Sequence, residues 1–140
     1  TAGNPFTMEE PFLSKFNELM KNTDLVMLDF KEIDPAKHKE LTGWGNANSV
    51  QMAKYLSEIG KDMWIRHVLV PGITDDEQGL HELDALIKEL KTVKRVEVLP
   101  YHTLGLAKWQ KLGISYPLDG VPTPTKEQTA LAEQILVHND

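Results

Sequence analysis

The chain has no cysteine among its 140 residues. That absence excludes disulfides, zinc–thiolate sites and cysteine-ligated iron–sulfur clusters held by these residues alone. It accords with a reducing cytoplasm, which is the expected location. No apolar run approaches the about 20 residues that a bilayer-spanning helix needs, and the first residues form no signal-peptide pattern, so no membrane partner is expected. Positive charge is scarce as well. Fifteen Lys and Arg stand against 21 Asp and Glu, and the net charge of -6 argues against a nucleic-acid surface. A glycine-rich phosphate loop is missing, and the five histidines show no i, i+4 pairing with a carboxylate of the kind that binds zinc.

What is there is a repeated alternation. Three strand-like segments, Leu25–Lys31, Trp64–Gly72 and Val96–His102, each end in polar or charged residues. Between and around them lie helical patterns. Thr7 with Glu10 forms a capping-box pattern ahead of Phe12, Phe16, Leu19 and Met20, and Asn22 suits a stop. A polar connection from Asp34 to Asn48 has room for a turn or two of helix around Ala36–Leu41. Asn48 with Gln51 opens a helix carrying Val50, Ala53, Leu56 and Ile59, closed by Gly60. Thr74 with Glu77 forms a further capping box before the stripe Leu80, Leu83, Ile87, Leu90. A short helix near Ala107–Lys111 and a final one from Thr125 to His138, burying Leu131, Ile135 and Leu136, complete the order.

Strands alternating with helices of this length predict an α/β fold with a parallel sheet and right-handed crossovers. Three strands, or four, are too few to close a barrel, where about eight are usual, and a parallel sheet with open edges is unfavourable. The expectation is therefore a portion of a TIM-like barrel: one unit over residues 1–140, beginning at Thr1 and belonging to something longer.

Alternation across a strand sorts the side chains. Val26, Leu28 and Phe30 share one face of the first strand; Met27, Asp29 and Lys31 share the other. In the second, Ile65, His67 and Leu69 oppose Trp64, Arg66, Val68 and Val70. In the third, Leu99 and Tyr101 are assigned to the apolar outer set, and Val98, Pro100 and His102 to the inner one. This gathers Asp29, Lys31, Arg66 and His102 at the C-terminal rim of the strands, where parallel α/β proteins hold ligands. One carboxylate, two cations and an imidazole suit a small zwitterion or anion. Each also has a plain structural reading: Asp29 as a turn cap, Lys31 as a solvated lysine, Arg66 as the ion-pair partner of Asp29, His102 as a loop residue. His67 reads as a packing or surface histidine, and Trp44, Trp64 and Trp109 as core or loop anchors.

Read together, these blocks carry a resemblance. The run Thr23–Lys31, then Trp64–Gly72, then Leu99–Gly105 with Lys108-Trp109, and Thr42-Gly43 followed by Asn46 between them, resemble the C-terminal part of the pyruvate formate-lyase activating enzymes, a family of the radical S-adenosylmethionine (SAM) group. The resemblance spans essentially the whole chain. It implies a partial (β/α)6 barrel of which the three segments are the last strands. It also implies chemistry in which a 4Fe-4S cluster on a C-x3-C-x2-C loop, reduced by flavodoxin or a similar donor, cleaves SAM, and the deoxyadenosyl radical takes hydrogen from a glycine of pyruvate formate-lyase. The cluster loop has no counterpart here, so the chain alone is expected to be inactive. Residue by residue, the resemblance assigns Asp29 and Lys31 to SAM contact, Arg66 to its methionyl end, Val68 to the adenine and His102 to the nucleoside. It assigns Thr1, Met27 and Asp29 to a monovalent-cation site; Thr1-Ala2-Gly3 resembles the tail of a D-T-(N/S)-G motif, with Ala2 in place of the usual Asn or Ser. Activation of another glycyl-radical enzyme, such as a diol dehydratase, and a non-catalytic half-barrel binding module remain the alternatives.

Overall fold

The computed structural model describes residues 1–137. Its elements run α1 (Phe12–Lys21), β1 (Val26–Phe30), α2 (Pro35–Thr42), α3 (Ala47–Glu58), β2 (Met63–Leu69), α4 (Glu77–Glu89), β3 (Val93–Pro100), a 3-10 turn (Thr103–Gly105), α5 (Leu106–Leu112) and α6 (Lys126–Leu136). The three strands form one parallel sheet in the order β1-β2-β3. Parallel neighbours need a crossover, and α2 with α3, then α4, supply the two. This is the α/β architecture expected from the alternation. The N-terminal residues add to it. The Thr1 amino group donates to the Met27 carbonyl at 3.0 Å, and the Asp29 amide donates to the Thr1 carbonyl at 2.7 Å. That is the bonding of a residue laid parallel along the outer edge of β1.

The sheet buries one face. Val26, Leu28 and Phe30 of β1, and Met63, Ile65 and Leu69 of β2, sink into a core built with Phe16 and Met20 of α1, Met52, Ala53 and Leu56 of α3, the α4 stripe Leu80, Leu83 and Ile87, and Ile135 and Leu136 of α6. Each such side chain contributes about 1.5–3 kcal/mol by leaving water. The rings of Phe6 and Phe16 meet edge-on at 5.0 Å and extend this core beneath α1 and α3. Gly3 makes the close approach of the N-terminal segment possible. Its φ is +71°, and a Cβ there would lie 3.1 Å from Met52 Sδ and 3.2 Å from Ser49 Cα.

The element order matches expectation; the caps do not all match. Thr7 does not cap α1: its hydroxyl accepts from the Glu9 amide, and the helix begins only at Phe12, after Pro11. The residue before a proline is driven out of helical backbone, so Glu10 cannot begin that helix. Asn48 is not a cap either; its side chain donates to the Asn4 carbonyl at 2.7 Å, and α3 starts one residue earlier. Thr74 is committed elsewhere, accepting from the Val70 amide and donating to the Val68 carbonyl, so Asp76 caps α4 by accepting from Gly79 at 2.9 Å. Gly60 has the left-handed φ of +73° that its place after α3 requires. Leu19, Ile59 and Leu131 are exposed, and Ala132 takes the buried place in α6, because each stripe is set by the sheet it faces. Trp44 is 69% exposed and anchors nothing with its ring. His138 lies outside the described residues.

Ile65 sits at the centre of the core in the middle strand, fully buried. Replacing it by alanine should cost about 3 kcal/mol and by valine about 1 kcal/mol, measured as the loss of unfolding free energy in urea.

Candidate functional site

The face of the sheet away from the core is open. Along β2 the residues alternate between buried and half-buried, with Trp64, Arg66 and Val68 half-buried between fully covered neighbours, and Met27 of β1 is 45% exposed. Register stacks this open face in rows. Met27, Trp64 and Arg95 form the first row, and Asp29, Arg66 and Glu97 the second; Val68 and Leu99 follow toward the strands' C-terminal ends. Because parallel partners at one register share a face, every residue in these rows points out of the core.

The second row holds a charge cluster. Arg66 Nε donates to Asp29 Oδ1 at 2.7 Å, and Lys31 Nζ donates to Asp29 Oδ2 at 3.3 Å. Both carboxylate oxygens therefore face cations, and the Asp29 side chain is only 19% exposed. Burial pushes the Asp29 carboxyl up, but the Arg66 hydrogen bond and then Lys31 outweigh it, holding its pKa below the usual carboxylate value. Among the described residues no bond engages the terminal nitrogens of Arg66. A guanidinium with such nitrogens has the geometry to meet a carboxylate side-on. Val68 and Leu99 give the same face an apolar stretch beside the cluster.

The structure thus joins Asp29, Lys31 and Arg66, with Val68 one register step beyond. It corrects the assignment in β3. Val98 pairs with His67 and lies in the core, while Leu99 pairs with Val68 on the open face, so the two sets in that strand are exchanged. By the same alternation His102 falls on the Val98 side. It follows the end of β3, exposed, at the N-cap of the 3-10 turn, and no contact joins it to Asp29 or Arg66. Thr1 and Met27 are neighbours through the Thr1 amino group on the Met27 carbonyl, and Thr1 meets Asp29 through the backbone bond described above. Among the described residues no group of three His, Cys, Asp or Glu is placed to hold a metal.

Two residues of this face were not singled out from sequence. Glu97 continues the Asp29–Arg66 row, and Arg95, bonded to Glu97 at 2.9 Å, lies over the Trp64 ring at 5.0 Å. The signal that would have found them is the pair Val96 and Val98, whose shared core side puts Arg95, Glu97 and Leu99 on the other.

The loops at the rim are tied down. Tyr101, just past β3, shares a 2.6 Å hydrogen bond with the Tyr116 hydroxyl, which pushes its pKa up to about 12. Trp109 packs on Tyr116 with ring centres 5.5 Å apart, so α5 is anchored to the strand end. Lys37 Nζ meets the Asp76 cap at 2.9 Å, and this bond raises the lysine pKa and lowers that of the aspartate.

A carboxylate with a depressed folded pKa stabilises the fold above its unfolded value and loses that contribution as pH falls through the folded one. Asp29→Asn should therefore destabilise the chain at pH 7, with the difference from the parent shrinking as pH drops below about 3.9. Urea unfolding at pH 7 and at pH 3 measures both.

The sequence and the fold have clear relatives. No protein-family model matches the chain. The chain is 48% identical over 97% of its length to the pyruvate formate-lyase-activating enzyme of Streptococcus mutans, and 46% identical over 97% to that of Listeria monocytogenes. It covers 52% and 55% of those two proteins. Among solved structures, a domain of the pyruvate-formate lyase-activating enzyme of Bacteroides vulgatus superposes with a TM-score of 0.72 at 22% identity, over 88% of this chain and 67% of that one. A radical SAM methyltransferase from Sphaerobacter thermophilus superposes with a TM-score of 0.61 at 17% identity, over 89% of this chain and 34% of that one. Both likenesses are of fold. No helix among the described residues is long and apolar enough to cross a membrane. Across nearly its whole length the chain is homologous to pyruvate formate-lyase-activating enzymes, and it spans about half the length of those relatives.

Proposed function

We propose that the chain is the SAM-gripping portion of a radical SAM activase that installs the glycyl radical on pyruvate formate-lyase. The observation that carries this reading is the Asp29–Arg66–Lys31 cluster on an open sheet face, at the strand ends where α/β proteins hold ligands. SAM presents a carboxylate, an ammonium, a sulfonium and an adenine. Arg66 suits the carboxylate, Asp29 suits the cationic groups, and Lys31 balances the charge of Asp29 when no ligand is present. Val68 offers the apolar contact for the adenine. His102 reaches the nucleoside in this reading only if the segment after β3 turns toward the open face. Bound SAM supplies, on reductive cleavage, the radical that abstracts hydrogen; these residues orient it.

The 4Fe-4S cluster does not fit this chain. Its ligands are thiolates and the sequence has none. In a full-length activase acting in the cytoplasm, a segment carrying the three cysteines would hold the cluster, with flavodoxin or a similar protein as its electron donor and the glycine loop of pyruvate formate-lyase as its target. A monovalent cation at Thr1, Met27 and Asp29 would compete with the Thr1 amino group, which already donates to the Met27 carbonyl. Parallel sheets are ordinarily covered on both faces, which supports an open face completed by ligand and further chain. The names of the relatives favour pyruvate formate-lyase over other glycyl-radical enzymes as the target.

SAM added at millimolar concentration to the 15N-labelled chain should shift the resonances of Asp29, Lys31, Arg66 and Val68, with binding too weak for calorimetry. Arg66→Met should weaken it at least about tenfold, the worth of one charge-assisted hydrogen bond. Shifts scattered over the surface, or none, would sink the assignment. Anaerobic treatment with iron and sulfide should leave the chain without visible charge-transfer absorption.

A further inference from the structure

His67 lies in β2 between Arg66 and Val68 but on the opposite, buried face, where it is 3% exposed. Its register partners are Phe30 and Val98, both in the core. A polar ring in such surroundings is costly unless its nitrogens are bonded. Here each faces a carbonyl: Nδ1 lies 3.0 Å from the Phe30 carbonyl oxygen and Nε2 lies 2.9 Å from the Thr74 carbonyl oxygen. Carbonyls only accept. The ring N–H donates to one of them, the tautomer deciding which, and the ring fills the space between the two.

The two carbonyls are not arbitrary. Phe30 is the last residue of β1 and stands between Asp29 and Lys31. Thr74 belongs to the turn leading into α4, and its hydroxyl closes that turn onto the end of β2, bonding the Val70 amide at 2.8 Å and the Val68 carbonyl at 2.7 Å. One buried ring therefore spans from the backbone that carries the site's carboxylate to the loop folded over its neighbouring strand. Any tilt of the Phe30 peptide would carry the Asp29 and Lys31 side chains with it, and small misplacements of binding groups are expensive.

We propose that His67 is a positioning residue for the Asp29–Arg66–Lys31 cluster, setting the end of β1 against β2 with a ring held between the Phe30 and Thr74 carbonyls. Its consequence for function rests on the reading of that cluster as a SAM grip. The brace itself is a matter of hydrogen bonds and is tested without ligand.

The test is nuclear magnetic resonance on the whole chain, with three variants. His67→Phe keeps a ring of similar volume without donors, and His67→Gln keeps one donor group. Leu136→Ala is a control that lowers stability from α6, remote in sequence from the cluster. In the parent, a ring N–H of His67 should be visible and slow to exchange, and the Arg66 Nε–H should be protected by its bond to Asp29. His67→Phe should speed exchange of the Arg66 Nε–H by about tenfold relative to the Leu136→Ala control, with His67→Gln between. If His67→Phe does not fold, the glutamine variant against the control decides the matter. A His67 ring N–H in the parent that exchanges as fast as an exposed one, or Arg66 exchange that follows overall stability alike in all variants, overturns the proposal. SAM is added last: an intact brace with no ligand-induced shift at Asp29 or Arg66 would leave His67 assigned and remove the SAM reading.

Discussion

Parallel pairing in a single register, with one face pressed into a core, is the constraint from which the rest of this structure follows. Leu28, Ile65 and their neighbours can leave water only if β1, β2 and β3 all turn their apolar residues the same way. A slip of one residue would drive Asp29 and Arg66 into that core and cost far more than any surface ion pair returns. Once the core side is decided, the opposite side chains have no freedom to scatter. Asp29 and Arg66 meet because they are register partners 37 residues apart, and their 2.7 Å bond is a consequence of core packing as much as of charge.

The C-terminal end of the sheet is then fastened by contacts that the core does not supply. His67 links the end of β1 to the turn after β2, Lys37 links α2 to the cap of α4, and the Tyr101–Tyr116 bond secures the segment after β3. These are polar contacts at loop ends, where backbone groups left over by the strands must be satisfied. The Asp29–Arg66 pair costs some desolvation to hold half-buried, and the lowered pKa of Asp29 records that attraction wins. For stability alone, well-packed apolar residues would serve as well as this half-buried charge cluster.

Much of this was legible beforehand, and the failures have physical causes. The alternation of helices and strands was readable because apolar periodicity is a local property of each segment. Parity alone put Asp29, Lys31 and Arg66 on one face, and the Asp29–Arg66 ion pair was readable as its plain structural consequence; the Lys31–Asp29 contact was not. Capping was read less well: Thr7 and Thr74 have the right neighbours, but Pro11 displaces the start of one helix and the end of β2 claims the hydroxyl before the other. The β3 parity went wrong because the strand starts at Val93 and a register irregularity falls at Met63/Trp64, so Leu99 rather than Val98 reaches the open face and His102 falls on the other side. Glu97, Arg95 and the brace at His67 escaped for a related reason, since each is defined by a partner far away in the chain.

Taken by itself, the sequence determined the order of the elements, the parallel α/β class, the absence of any thiolate ligand for iron, and the likeness to the activating enzymes. All of these are carried by residue identity and by short-range periodicity. Tertiary structure alone decided which residues of β3 share the face of Arg66, which hydroxyl or carboxylate caps each helix, and what a buried histidine holds. Those outcomes depend on register and on competition for donors and acceptors between segments that meet only when the chain is folded.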